Sequence, residues 1–268
     1  MALLGLENDL PDEHFCLRTR IGLATARRLA QEGCKVVISS RKQENVDEAI
    51  QTLNKEGLQV SGLVGNQRVR EDRKKLLEYT CEKYGGIDCV FMSAGVSPHQ
   101  GSLLTVNEDQ FSRAFDTNVK ANFQFIQDLL PVFKERGGGS IVANATAGVY
   151  GVTQLFGTGK NLFLYSISKT ALVAMIQHVS RDCFNENIRV NVVAPGPVDT
   201  RFLSGGVDES NFTTYWNVAG VDKEDLAARV GRPEEIASTV AYLLSDDASY
   251  LTGNCLITAG GFVLSRCL

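Results

Sequence analysis

Between residues 21 and 257, short apolar runs alternate with longer stretches whose apolar residues recur every three or four positions. The first spacing suits buried strands and the second suits helices with one apolar face. Residues 21–33 read as a helix, with Ile21, Ala24, Leu29 and Ala30 on one face and Gly33 as its stop. A buried strand follows at 35–39, then a helix marked by Val46, Ala49, Ile50 and Leu53, and a strand at 58–64. Residues 71–84 form a charged amphipathic helix closed by Gly85 and Gly86. Next come a strand at 89–92, two helical stretches to about Arg136, a triple glycine, and a strand at 140–143. A helix around Tyr165, a strand at 188–193, a helix from Pro233 to about Leu244 and a last strand near 253–257 complete the pattern. Strand–helix alternation of this kind predicts one α/β domain, a doubly wound parallel sheet that binds ligands at the carboxyl ends of its strands.

The first twenty residues do not join this pattern easily. Residues 8–14 are acidic and include Pro11, whereas a central parallel strand is buried on both faces and needs its N–H groups. The first strand is therefore expected to be degraded or missing. The apolar residues 2–6 read as a flexible start or a short buried strand that slides into its place. Residues 1–20 are set apart as an atypical segment and 21–268 as the domain.

Composition narrows the function. Of 268 residues 44% are hydrophobic and 22% charged, with a net charge of −4, so one sizeable core is expected and binding to nucleic acid by bulk charge is not. The seven cysteines are scattered and the three histidines lie far apart, which gives neither a disulfide framework nor a metal site and fits a reducing compartment. No stretch is long and apolar enough to span a bilayer.

Chemistry concentrates at Tyr165 and Lys169, four residues apart on a helix and so on one face. A neighbouring ammonium favours phenolate, bringing a tyrosine pKa down from about 10 toward the range of a working proton donor or acceptor. Such a pair runs proton chemistry on an alcohol or a ketone without a metal.

An ordered set of further motifs accompanies the pair: Asn118-Val119-Lys120-Ala121, Ile188-Arg189-Val190-Asn191, Pro195-Gly196-Pro197-Val198-Asp199-Thr200, Gly231-Arg232-Pro233 and Leu251-Thr252-Gly253. Together they resemble the short-chain dehydrogenases/reductases, over nearly the whole chain from Ile21 to Gly261. Within that family the stretch from Gly33 to Leu53 is most similar to the peroxisomal NADP-dependent retinol and carbonyl reductase group. The resemblance implies a Rossmann-like fold and an oxidoreductase moving hydride between a nicotinamide and a carbonyl or alcohol substrate, namely a ketone, an aldehyde or a retinoid. It implies that Tyr165 transfers the proton, that Lys169 tunes the tyrosine and holds the nicotinamide ribose, and that Asn118 kinks its helix and ties Lys169 to a water relay. It places Ile21 and Gly22 at the phosphate turn, Ala94 and Gly95 on the adenine side, and Pro195, Gly196, Val198 and Thr200 around the nicotinamide. Cofactor choice can also be read from the residues. Ser39-Ser40-Arg41 ends the second strand without the acid that selects NAD, and a guanidinium suits a 2′-phosphate, so Ser40 and Arg41 point to NADP(H).

Three departures from the family touch chemistry. The glycine-rich phosphate loop keeps only Gly22, because Cys16 and Arg20 occupy the other two glycine positions. At the serine position that polarises the substrate, spacing back from Tyr165 gives Val152, the preceding strand gives Thr146, and the following glycine gives Ala145. Thr146 carries the needed hydroxyl and is the residue expected there. An insertion within 152–164 borders the substrate site, where Leu155, Phe156, Leu162 and Phe163 would make an apolar lip for a hydrophobic substrate. These departures leave a second reading, a catalytically weakened relative kept as a binding or assembly partner, and a third, an alternative or misassigned segment upstream of Ile21. Family helices like that of Tyr165 pack between subunits, here through Ala171, Leu172, Met175, Ile176 and Val179, which implies a homodimer or homotetramer. Related peroxisomal enzymes end in Ser-Arg-Leu, and Cys267 interrupts that address here, so the cytoplasm is expected, with the peroxisome as the alternative.

Overall fold

The computed structural model describes the backbone of residues 2–5, 21–150, 154–155, 160–200 and 230–261, with the side chains of 21–150, 162–200 and 230–261. Seven strands form one sheet: β1 (Ala2–Gly5), β2 (Val36–Ser40), β3 (Val60–Val64), β4 (Cys89–Met92), β5 (Gly139–Asn144), β8 (Ile188–Pro195) and β9 (Cys255–Thr258). Their order is β3-β2-β1-β4-β5-β8-β9 and every pairing is parallel. Two short strands, β6 (Gln154–Leu155) and β7 (Lys160–Asn161), pair antiparallel as a separate hairpin inside the insertion.

Both faces of the sheet are covered, and the side-chain alternation of each strand feeds two cores. Val36, Ile38, Phe91 and Val142 point to one side, against α1 (Ile21–Gln31), α2 (Gln43–Lys55) and α7 (Pro233–Leu244). Val37, Val90, Met92, Ile141 and Ala143 point to the other. There they meet α3 (Arg70–Tyr84), α5 (Ala121–Arg136) and α6 (Phe163–Asp182). The remaining helix, α4 (Glu108–Phe115), starts on a capping box between Asn107 and Gln110. It runs through a π-helical turn at Asp116–Lys120 directly into α5.

The first strand is present, which corrects the expectation that it is degraded or missing. Ala2, Leu3 and Leu4 pair with Val36, Val37 and Ile38 on one side and with Cys89, Val90 and Phe91 on the other. Without a strand there, β2 and β4 would leave a row of backbone donors and acceptors unpaired in the middle of the sheet. An apolar tetrapeptide can fill that slot whereas the acidic, proline-containing stretch after it cannot. Residues 6–20, which include Cys16 and Arg20, lie outside the described residues.

The glycine triplet turns the chain from α5 into β5. Gly137 and Gly138 take φ of 80° and 141°, and a Cβ at Gly139 would stand 2.4 Å from the ring of Phe133. At the far edge, Arg189 of β8 cages the end of α7. Its guanidinium donates to Leu243 O at 2.8 Å, Leu244 O at 3.3 Å, Ser245 O at 2.9 Å and Leu251 O at 3.4 Å. The first three are carbonyls that a helix end leaves without partners, and the positive charge also suits the negative end of the helix dipole. Asn191, two residues on, donates to Leu251 O at 2.8 Å and accepts from Asn254 N–H at 3.1 Å, which ties β8 to the segment leading into β9. Replacing Arg189 by Met should lower unfolding free energy by about 2–3 kcal/mol, since several half-buried carbonyls lose a charged donor. Urea denaturation of the two proteins measures the difference, and a value near zero would contradict the assignment.

Candidate active site

Tyr165 and Lys169 stand in the first two turns of α6, whose start faces the carboxyl ends of β4 and β5. Lys169 is 1% exposed. Its Nζ donates to Asn144 O, the last residue of β5, at 2.7 Å and to Ala94 O, just beyond β4, at 3.5 Å. The same atom lies 5.7 Å from the centroid of the Tyr165 ring. Gly95 makes room for it: a Cβ there would sit 2.9 Å from Nζ. The cation therefore rests among carbonyl dipoles on a floor that has no side chain.

Asn118, completely buried, lies in the π-helical turn. Its Oδ1 accepts from Val96 N–H at 2.8 Å, while its Nδ2 donates to Val96 O at 2.9 Å and to Ser168 Oγ at 2.8 Å. The Ser168 hydroxyl in turn donates to the main-chain Tyr165 O at 2.7 Å. The asparagine thus clamps the strand end beside Gly95 to the helix that carries the pair. π-turns widen a helix by one residue and so re-aim a side chain, which is the geometric form of the kink expected at Asn118.

The ionisation pattern differs from the one read in the sequence. Burial pushes Tyr165 up from its usual value near 10 rather than down, and burial also brings Lys169 down from 10.5 to about 7. The reason is that desolvation acts on both groups, disfavouring phenolate and ammonium alike. A lysine titrating near neutrality gives the phenol only a partial positive neighbour.

Ala145 and Thr146, just past the end of β5, lie in different surroundings. Ala145 follows Ala143 into the core on the α5–α6 side and is 2% exposed. Thr146 is half-buried, and its Oγ1 accepts from Gly148 N–H at 3.2 Å. A Cβ on Gly148 would come within 2.8 Å of Ser166 Oγ and 3.5 Å of Thr146 Oγ1, so this hydroxyl lies beside the first turn of α6. Val152 is outside the described residues, as are the side chains of Leu155 and Phe156 from the expected lip. Leu162 and Phe163 are half-buried where α6 begins.

The expected cofactor residues gather along the same edge of the sheet. Ile21 and Gly22 are buried in the first turn of α1. Ser40, 2% exposed at the end of β2, accepts from Asn45 Nδ2 at 3.3 Å, and Arg41 follows it half-buried. Pro195 ends β8, Val198 bridges to Gly231, and Thr200 is 5% exposed. Gly196 N–H donates to Thr258 O at 3.0 Å, and a Cβ there would lie 2.8 Å from that of Ala259. A small cavity at the ends of β2, β3 and β4 is lined by Ser39, Gly65, Asn66, Gln67, Met92 and Ala94 among others. Gln67, Asn122, Asn144 and Ser168 were not singled out in the sequence. The asparagine repeat at 118 and 122, one helical turn apart, was the available signal. The expected subunit contact is partly corrected, because Leu172 and Ile176 are fully buried in the chain's own core.

A nicotinamide dinucleotide fits the described part of this edge. Asn144 Oδ1 is a buried acceptor without a hydrogen-bond partner, and the ammonium of Lys169 has three N–H groups against two carbonyl acceptors. Buried polar groups left open in this way call for a polar ligand. Among the described residues there is no group of three or more His, Cys, Asp or Glu able to hold a metal ion. Also among them, no helix is long and apolar enough to cross a membrane.

Many known proteins are similar to this chain in sequence and fold. A protein-family model described as enoyl-(acyl carrier protein) reductase matches residues 18–263. The rabbit (Oryctolagus cuniculus) dehydrogenase/reductase SDR family member 4 is 40% identical over 245 residues, which cover 90% of this chain and 88% of the relative. An actinorhodin polyketide ketoreductase crystallised with NADPH is 26% identical with a TM-score of 0.79, over 98% of this chain and 96% of that one. A 7α-hydroxysteroid dehydrogenase crystallised with NADH and 7-oxo glycochenodeoxycholic acid is 24% identical with a TM-score of 0.79, over 90% and 89%. The last likeness bears on the fold alone.

Lys169 makes stability depend on pH in a stated direction. Between about 7 and 10.5 the unfolded chain keeps a proton that the folded chain has released, so folding becomes more favourable as pH rises through that window. Tyr165, shifted upward, stays protonated in both states until pH nears 10. The stability of the wild-type chain relative to Lys169→Met should therefore grow between pH 7 and 9.5, with a slope of at most about 1.4 kcal/mol per pH unit. Denaturant midpoints across that range test it, and a flat or falling difference would contradict the burial of a neutralising lysine.

Proposed function

The chain belongs to the short-chain dehydrogenase/reductase family, and from that premise we propose that it is an NADP-dependent oxidoreductase acting on a hydrophobic carbonyl compound or its alcohol. The observation that carries this reading is the buried Lys169 one helical turn from Tyr165, fixed by Asn144 O and by the Asn118 clamp.

The cofactor, when bound, supplies or accepts the hydride. All proton handling falls to the chain. The phenol of Tyr165 gives its proton to the substrate oxygen in reduction and takes it back in oxidation. Lys169 uses its remaining donor on the cofactor ribose, and its partial charge steadies the phenolate left behind. Thr146 Oγ1, beside the first turn of α6, donates to the substrate oxygen and so polarises the carbonyl. Ala94 and Gly95 line the adenine side, Pro195, Gly196, Val198 and Thr200 line the nicotinamide side, and Ile21 and Gly22 take the phosphates at the start of α1. Ser40 and Arg41 receive a 2′-phosphate, since the end of β2 carries no acid to hold a ribose hydroxyl instead.

A ketone, an aldehyde or a retinoid fits the half-buried apolar start of α6 at Leu162 and Phe163. Assembly as a homodimer or homotetramer is part of this proposal: Phe111, Phe123 and Ile167 are exposed on α4, α5 and α6. So is a reducing location, the cytoplasm, in keeping with five free cysteines among the described residues.

Titration with NADPH and with NADH, followed by protein fluorescence, tests the reading. NADPH should bind at micromolar concentration and about tenfold or more tighter than NADH, a preference that Arg41→Ala should remove. Absence of binding at millimolar nucleotide would end the enzyme reading, and equal affinity for both nucleotides would end the NADP assignment.

A further inference from the structure

The π-helical turn at Asp116–Lys120 shifts main-chain carbonyls out of α-helical register, and one side chain gathers two of them. Asn122 Nδ2 donates to Asn118 O at 2.9 Å and to Thr117 O at 3.4 Å. Its Oδ1 accepts from Gln67 Nε2 at 3.1 Å, fifty-five residues away in sequence. Gln67 lies on the loop between β3 and α3 and lines the cavity at the ends of β2, β3 and β4. That loop is itself anchored. Arg73, 4% exposed, donates to Gln67 O at 2.9 Å and pairs with Asp128 of α5 at 2.6 Å.

From Asn118 the chain of bonds continues through Ser168 Oγ to Tyr165 O. Gln67, Asn122, Asn118, Ser168 and Tyr165 thus form one unbroken line of hydrogen bonds, and Asn122, Asn118 and Ser168 are completely buried. At such depth each bond is hard to replace with water, and loss of one member leaves its neighbours unsatisfied.

We propose that Gln67 and Asn122 are positioning residues that couple the β3–α3 loop to the placement of Asn118 and, through it, of the Tyr165–Lys169 helix. The proposal rests on the dinucleotide reading above, which puts the adenine end beside Ala94, in the cavity that Gln67 also lines. An adenine nucleotide that orders Gln67 would tighten the π-turn and the clamp on Val96 before the nicotinamide end is engaged. Only an amide serves at position 122, because the residue must accept from Gln67 and donate to two carbonyls at once. An aspartate keeps the acceptor but turns its second oxygen toward the carbonyls of Thr117 and Asn118.

The amide of Val96 reports on the clamp, since its N–H is held by Asn118 Oδ1. In the nucleotide-free protein, Gln67→Ala and Asn122→Asp should each speed hydrogen exchange at Val96 by about tenfold, with the β5 amides unchanged as the control for folding. Adenosine 2′,5′-bisphosphate should slow that exchange in the wild-type chain and leave it unaltered in Asn122→Asp. In turnover, Gln67→Ala should lower kcat about tenfold while the KM for NADPH stays within about twofold, and the double variant should be no slower than the slower single one. A residue that merely touches adenine would raise KM and spare kcat. Unchanged Val96 exchange in Gln67→Ala, a bisphosphate that binds without slowing it, or multiplying effects in the double variant would overturn the coupling. A wild-type chain that binds no NADPH would instead overturn the cofactor reading, and Val96 exchange would still decide the relay.

Discussion

The hydrogen bond from Lys169 Nζ to Asn144 O is the constraint on which the rest of the site depends. A lysine completely enclosed by protein has to be met by acceptors, and here they are main-chain carbonyls at the ends of two adjacent strands. That requirement fixes α6 against β4 and β5, gives a side chain at residue 95 room only if Nζ moves, and leaves one donor for a ligand. Asn118 then secures the same strand end from the opposite direction, holding Val96 by both its N–H and its C=O.

The sheet supplies the precision that such contacts need. Parallel strands bring β4, β5 and β8 to a common edge, and helices on both faces keep that edge rigid. Arg189 and Asn191 extend the rigidity to the last helix and strand, so the turn at Pro195 and Gly196 arises from a braced element. Filling the central slot with Ala2–Gly5 lets the sheet keep its full order although the residues usually preceding the phosphate turn are unlike a strand.

Much of this was legible in the residues. Apolar runs and helical spacing gave the order of strands and helices, and Tyr165 with Lys169 marked the site because side-chain period and chemistry coincide there. Asn118 was legible as a motif, but its clamp on Val96 and Ser168 was not, since those residues are far apart in sequence. The first strand could be read only as one of two alternatives for residues 2–6, because four apolar residues carry little periodic signal, and the pairing of Ala2–Gly5 bears out the strand. The upward shift of Tyr165 and the downward shift of Lys169 through burial were not legible, because spacing reports proximity and not desolvation. Thr146 was chosen over Ala145 from its hydroxyl alone; the structure adds that Ala145 is buried in the core while Thr146 is half-buried. Gln67 and Asn122 become visible only once a loop and a helix are brought together.

The central claim is that Tyr165, held by this arrangement, moves the proton when a nicotinamide nucleotide reacts with a carbonyl compound. Its most direct measurement is NADPH oxidation with a set of aromatic and aliphatic ketones and aldehydes, by the wild-type chain and by Tyr165→Phe, alongside nucleotide affinity for both. Turnover by the wild-type chain should fall by at least about 10²-fold in the variant while the affinity for NADPH is unchanged. Equal turnover by the two proteins, or a wild-type chain that binds NADPH and reduces none of these compounds, would contradict it.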